Sequence, residues 1–357
     1  MRSLLSPMQP DSHQENPLPP PPGPSVASLA EGVLQGDRAK LGQAITLVES
    51  SKAEHRRLAD QLLGLLHGNS GVAHRIGVTG LPGVGKSTFI DQFGTNLTQE
   101  GRKVAVLAID PSSNRTGGSI LGDKTRMSRL AVDPNAFIRP SPAGKALGGV
   151  TRTTRETILL CEAAGFDVII VETVGVGQSE SAVADMVDFF LVLLLPGAGD
   201  ELQGLKKGLI ELADLIVINK ADGNLASRAS ATAADYRAAL HILRAPDAAW
   251  QPQVLKISGL QNEGLEELWA AIKRHRDVMQ GSGAFDAKRR DQAVAWMHAM
   301  IENRLRGVVH DNGEVRSRLD TLEGEVRAGK KPPAIAADEI LTLAGLGQTS
   351  VAPSRLE

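Results

Sequence analysis

The residues most able to do chemistry begin at Gly80-Leu81-Pro82-Gly83-Val84-Gly85-Lys86-Ser87-Thr88, which fits Gly-x-x-x-x-Gly-Lys-Ser. Small glycines let backbone N–H groups close around the β- and γ-phosphates of a nucleotide, and a helix starting there adds partial positive charge. Lys86 would reach those phosphates, and the Ser87 hydroxyl would bind Mg²⁺. Asp110 and Glu172 each close an apolar run, and Asp123 stands in the glycine-rich stretch from Gly117 to Arg126. Hard oxygen ligands of this kind suit Mg²⁺, held directly or through water. Glu172-Thr173-Val174-Gly175 has the form of a second phosphate-sensing motif, with Glu where most GTPases carry Asp and the Gly175 N–H facing the γ-phosphate.

Base choice comes from Asn219-Lys220-Ala221-Asp222. An aspartate accepts two hydrogen bonds from guanine's ring N–H and exocyclic amine, a donor pair that adenine lacks. Ser258-Gly259-Leu260 follows the last apolar run and is placed to offer a backbone N–H to the guanine carbonyl. The set predicts GTP over ATP.

These residues need elements to hold them. Short apolar runs at Ile76–Thr79, Val104–Ile109, Ala136–Ile138, Val168–Glu172, Phe189–Leu195, Leu215–Ile218 and Val254–Ile257 alternate with helical segments. That order predicts an α/β chain: a P-loop NTPase with a mostly parallel sheet flanked by helices, its ligands at the carboxyl ends of the strands. Residues 1–24 end in a proline run and read as a disordered leader. Residues 25–70 carry apolar positions at three- and four-residue spacing and predict two or three helices. The nucleotide domain is expected over 71–281, a helical arm over 282–345 and a flexible tail over 346–357, with Pro332-Pro333 breaking the helical pattern. The arm's stripe is Ala293, Trp296, Met297, Met300, Ile301 and Leu305, read first as core.

Composition narrows the choice. The 39 Lys and Arg nearly balance 41 Asp and Glu, so nothing favours a DNA-wrapping protein, and 3% aromatic residues argue against a base-stacking RNA platform. One cysteine, Cys161, excludes an internal disulfide or a cysteine-based zinc site, and its apolar surroundings mark it as core. No membrane-length apolar run or signal-peptide core is present, so a cytoplasmic protein is expected.

The blocks Ile109-Asp110-Pro111-Ser112-Ser113, Gly117–Met127, Ile138-Arg139-Pro140-Ser141-Pro142, Val171–Glu180, Pro196–Gly208 and Asn219–Asp222 resemble the MeaB/ArgK family of P-loop GTPases, the group that includes the methylmalonic aciduria type A protein. The resemblance spans roughly residues 30 to 310. It implies a homodimeric GTPase that serves adenosylcobalamin-dependent acyl-CoA mutases, methylmalonyl-CoA mutase above all, by gating cofactor loading and protecting or reactivating the mutase. Carried over, Gly80–Thr88, Asn219, Lys220, Asp222 and Ser258–Leu260 bind GTP or GDP, and Ser87, Asp110, Asp123 and Glu172 surround Mg²⁺. Asp200, Glu201, Gln203, Lys206 and Lys207 belong to a loop similar to the family's additional switch, and part of the C-terminal arm would form the dimer.

Catalysis is assigned to Lys86, Asp110, Glu172 and Gln178, the last being the glutamine nearest Gly175. Arg115, Arg126 and Arg152 are the candidates for an arginine finger. Two other classes share part of the pattern. A metal-insertion GTPase would want clustered Cys or His, whereas the eight His are scattered. A kinase acting on a small substrate or transport protein fits the switch-like loops and guanine motif less well.

Overall fold

The computed structural model describes residues 25–50, 52–109, 126–141, 147–173, 179–197, 207–243, 249–310 and 312–347. The leader, most of the tail, and the expected site residues Asp110, Asp123, Gln178, Asp200, Glu201, Gln203 and Lys206 lie outside that set, as do Arg115 and Gly175. The side chain of Lys207 lies outside it too.

Three helices come first: α1 (Val26–Leu34), α2 (Arg38–Glu49) and α3 (Ala53–Leu66). Ser25 and Asp37 start the first two by accepting backbone N–H bonds, which satisfies donors that a helix start leaves open. A parallel αβ alternation follows: β1 (His74–Gly80), α4 (Lys86–Gln99), β2 (Val104–Ile109), β3 (Ala136–Ser141), α5 (Leu147–Ala163), β4 (Val168–Thr173), α6 (Ser179–Ala184), β5 (Phe189–Leu194), α7 (Lys207–Leu212), β6 (Leu215–Ile218), α8 (Ala226–Leu243), β7 (Gln253–Lys256) and α9 (Leu265–Gly281). The chain ends in α10 (Ala284–His310), α11 (Gly313–Arg327) and α12 (Pro333–Leu343).

Among the described residues the seven strands form one sheet in the order β3-β2-β4-β1-β5-β6-β7, every pair parallel. All seven apolar runs of the sequence become strands, within a residue or two of their expected starts but with β3 reaching three residues further. β2, β4 and β5 are buried along their whole length, as strands covered by helices on both faces must be. One face packs Leu107, Ile109, Ile169 and Val171 with Ile158 and Leu160 of α5, and the same cluster continues into Leu41, Ile45, Val48 and Leu62 of the N-terminal helices. The other face packs Ile76, Val78, Leu191 and Leu193 against Phe89 and Phe93 of α4 and Leu268 and Ile272 of α9. Cys161 is fully buried, and burial pushes its thiol well above the ordinary range, which makes it inert core.

Pro332-Pro333 stands at the expected break, one helix ending at Arg327 and the next beginning at Pro333. Pro332 caps α12 and Pro333 occupies its first turn, where the missing N–H has no partner to lose. α11 and α12 then close a small core of Val315, Leu322, Ala336 and Ile340.

Candidate functional site

β1 lies between β4 and β5, so the turn after it opens at the carboxyl edge of the sheet's centre. Gly80, at φ 150°, ends β1 so close to its neighbour that an added Cβ would meet the Leu193 carbonyl oxygen at 2.4 Å. Gly85, at φ 92°, turns the chain into α4 with the Asn219 amide 3.0 Å from where a Cβ would stand. Only glycine serves at both positions.

Lys86 is 8% exposed and donates from Nζ to the carbonyls of Gly80 at 2.6 Å and Leu81 at 3.2 Å. The lysine thus folds back on its own turn. Burial lowers its ammonium from the usual range, and the Glu172 and Glu180 carboxylates oppose that fall. Ser87 Oγ lies 3.5 Å from Glu172 Oε1. Glu172 reaches this place because the β1–β4 register sets it beside Val78. A serine hydroxyl facing a carboxylate at a helix start is a hard-oxygen pair of the kind Mg²⁺ takes.

The second half of the site is bracketed by Asn219, 2% exposed at the end of β6. Its Nδ2 donates to the Val84 carbonyl at 2.9 Å, and its Oδ1 accepts from the Gly259 N–H at 3.0 Å. Lys220, held at φ 58°, donates from Nζ to the Gly83 carbonyl at 2.9 Å. The glycine-rich turn and the Ser258–Leu260 loop are thereby held as one unit. Gly259 lies against Phe89 of α4, whose Cα a Cβ would meet at 3.0 Å. Ser258 is buried and accepts the Gln261 N–H, Leu260 is 72% exposed, and half-buried Asp222 makes no capping bond.

Two features escaped the sequence reading. Thr173 donates to Thr79 across the carboxyl ends of β4 and β1 at 2.8 Å, both residues buried. Glu180 on α6 is also buried, its Oε2 without a partner among the described residues, and it is the second acid acting on Lys86. The Thr pair follows from strand register and the Glu180 contact from packing, neither of which a linear pattern displays. Arg126 is exposed, while Arg152 donates to the Val48 carbonyl and faces Glu156 at 3.6 Å, which engages it with the helical layer. Among the described residues no group of three or more His, Cys, Asp or Glu could hold a metal ion, and no helix is long and apolar enough to cross a membrane.

A parallel sheet carrying a glycine-rich turn, a buried lysine and a base-side Asn-Lys-x-Asp loop joined to it defines a P-loop GTPase. Comparison with known proteins narrows the class. Residues 41–314 match the family described as methylmalonyl Co-A mutase-associated GTPase MeaB, and the chain belongs to that family. A Caulobacter vibrioides protein named as a GTPase is 58% identical over 91% of this chain and 99% of its own length. The methylmalonic aciduria type A homolog of Mus musculus, named as mitochondrial, is 47% identical over 88% of this chain and 79% of its own. A solved structure titled LAO/AO transport system kinase superposes with TM-score 0.70 at 40% identity, covering 90% of this chain and 98% of that one.

Proposed function

We propose that this GTPase acts as a chaperone for an adenosylcobalamin-dependent acyl-CoA mutase, methylmalonyl-CoA mutase in the first instance, gating cofactor loading and protecting or reactivating the enzyme. The observation that carries the reading is the family match across residues 41–314, joined to a site with guanine-binding chemistry. In this reading Gly80–Thr88 wraps the phosphates, and Lys86 exchanges the Gly80 and Leu81 carbonyls for phosphate oxygens. Asn219 and Lys220 hold the base loop in register, Asp222 pairs with guanine, and Ser258–Leu260 closes over its carbonyl edge.

Ser87 and Glu172 would hold Mg²⁺ together with Asp110 and Asp123, and the ion would neutralise charge between the phosphates. Gln178 would orient water, and the loop carrying Asp200, Glu201, Gln203, Lys206 and Lys207 would report nucleotide state to the mutase. A second copy of the chain would cover the exposed stripe Val294, Met297, Ile301, Leu305 and Val308 of α10, giving the homodimer. The expected location is the cytoplasm.

The test is GTP hydrolysis by the purified chain at fixed Mg²⁺, with and without the mutase, and ATP as control. Docking that brings the switch residues into the site would complete it, and such completion is worth several orders of magnitude in rate in GTPases. Stimulation confined to GTP is expected. Turnover indifferent to a saturating mutase would remove this client. The kinase named in the solved relative's title offers a second reading, distinguished by phosphate appearing on an acceptor instead of in solution.

A further inference from the structure

Three polar side chains of α4, Asp91, Gln92 and Asn96, lie outside the phosphate and base motifs and are joined to both flanking segments. Gln92 is buried, and both ends of its amide are used: Oε1 accepts from Arg129 Nη1 at 2.7 Å, and Nε2 donates to Asn96 Oδ1 at 2.8 Å. Asn96, one turn further along, donates from Nδ2 to Asn262 Oδ1 at 2.7 Å. The direction of this line is forced. A guanidinium has donors and no acceptor, so Gln92 turns its oxygen to Arg129 and its NH2 to Asn96, and Asn96 then offers its own NH2 to Asn262. Three bonds therefore point one way from a fixed positive charge, an arrangement in which each bond polarises the next.

Both ends of the line are anchored. Arg129 Nε donates to Asp91 Oδ2 at 3.0 Å, and the other oxygen of buried Asp91 accepts the Leu130 N–H at 2.9 Å. Leu130 is fully buried against Gly94 of α4, where an added Cβ would meet its side chain at 2.7 Å. The backbone that carries Arg129 is thereby seated on α4. At the other end, Asn262 stands at φ 60° in the loop from Ser258 to Glu263, which two backbone hydrogen bonds between those residues close at 3.0 and 3.1 Å. Asn219 holds the outgoing limb of that loop through the Gly259 N–H, and Asn96 holds the returning limb through Asn262.

We infer that Arg129, Gln92 and Asn96 are positioning residues for guanine binding: the line they form fixes, through Asn262, the loop that closes over the base. The inference rests on the reading of Ser258–Leu260 as that loop. α4 begins at Lys86, so one helix carries the phosphate lysine at its first residue and the anchor of the base loop near its end. Arg129 acts only through its neighbours. Hydrogen bonds between neutral amides contribute modestly where water competes, so loss of the line should weaken base-dependent binding about two- to tenfold.

The test measures GDP affinity of the full chain with a fluorescent analogue at fixed Mg²⁺, and pyrophosphate affinity by competition with that analogue, because pyrophosphate fills the cradle without a base. N96A and R129M are each expected to weaken GDP about two- to tenfold and to leave pyrophosphate unchanged. The double variant should be no weaker than the weaker single, since both cut one line. At Asn262 the line requires an acceptor: N262D keeps it and should keep the affinity, while N262G, which tolerates φ 60° at least as well, should lose it. G259A is the control for the loop itself, its methyl reaching Phe89 Cα at 3.0 Å. GDP affinity lost in G259A but native in N96A and R129M overturns the line and leaves the loop reading standing. GDP affinity native in all three removes the loop reading, and the inference with it. Pyrophosphate affinity falling in step with GDP would show that the whole helix had shifted, and effects of N96A and R129M that multiply in the double variant would show that the two residues act separately; either result overturns the inference, as does N262D behaving like N262G.

Discussion

The Asn219 side chain donates to the Val84 carbonyl at 2.9 Å, joining the end of β6 to the glycine-rich turn, and accepts the Gly259 N–H with its other atom. One buried amide therefore holds the phosphate side and the base side of the site in fixed relation. N219A leaves a buried carbonyl and a buried N–H without partners, each costing about 1–3 kcal/mol. GDP affinity should fall roughly 10- to 1000-fold while the far-UV spectrum stays unchanged, as read by titration of a fluorescent GDP analogue. Unchanged affinity would remove the bracket from the site.

The Asp222 side chain makes no capping bond to the turn it begins, and in the proposed function it pairs with guanine. D222N reverses one hydrogen-bonding partner, so guanine loses a pairing and a purine with a carbonyl in place of the exocyclic amine gains one. The variant should lose roughly a hundredfold or more in GTP affinity and recover binding with xanthosine triphosphate. Equal loss for both nucleotides would argue that Asp222 holds the loop instead of the base.

Gly80 tests the turn itself. G80A places a methyl 2.4 Å from the Leu193 carbonyl oxygen, a backbone atom of the adjacent β5 that cannot swing aside, at a φ of 150°. The central strands must part or the turn must open. A loss of about 2 kcal/mol or more and a Tm lower by several degrees are expected from calorimetry, with GTP binding reduced alongside. G83A, at an open position where a Cβ meets nothing within 4 Å, still carries φ 82° and should cost about 1 kcal/mol.

Glu156 is 2% exposed between α3, α5 and α10, and burial pushes its carboxyl up from 4.5 to about 7. Arg152, Arg56 and Arg304 pull the other way, and Asp60 adds to the rise. A raised folded-state pKa means the folded chain binds the proton more tightly, so this stabilisation is complete below pH 4.5 and is lost as pH rises through 7. Its full span is about 3 kcal/mol. His74 has the opposite sign: burial lowers it from 6.5 to about 4, so its contribution is present above 6.5 and lost as pH falls toward 4. The two overlap, and only the difference between native chain and E156Q isolates Glu156. That difference should favour E156Q progressively from pH 4.5 to 7 and level off above; a flat difference in denaturant midpoints across the window would show Glu156 to be solvated.

The sequence by itself determined the parallel αβ alternation, all seven strands, the glycine-rich turn and the Asn-Lys-x-Asp loop, because each is a local signal: an unbroken apolar run, or a turn that only glycine can make. Pro332-Pro333 marks the break between α11 and α12 for a local reason as well, and the structure adds that the same pair begins the second helix. Tertiary structure alone decided that β4 lies beside β1, which brings Glu172 to Ser87 and Thr173 to Thr79 from 85 and 94 residues away. It also decided that Asn219 holds Val84 and that Glu180 is a second acid near Lys86. Strand order, register and helix seating arise from burying whole faces against one another, and that packing is a property of distant residues together.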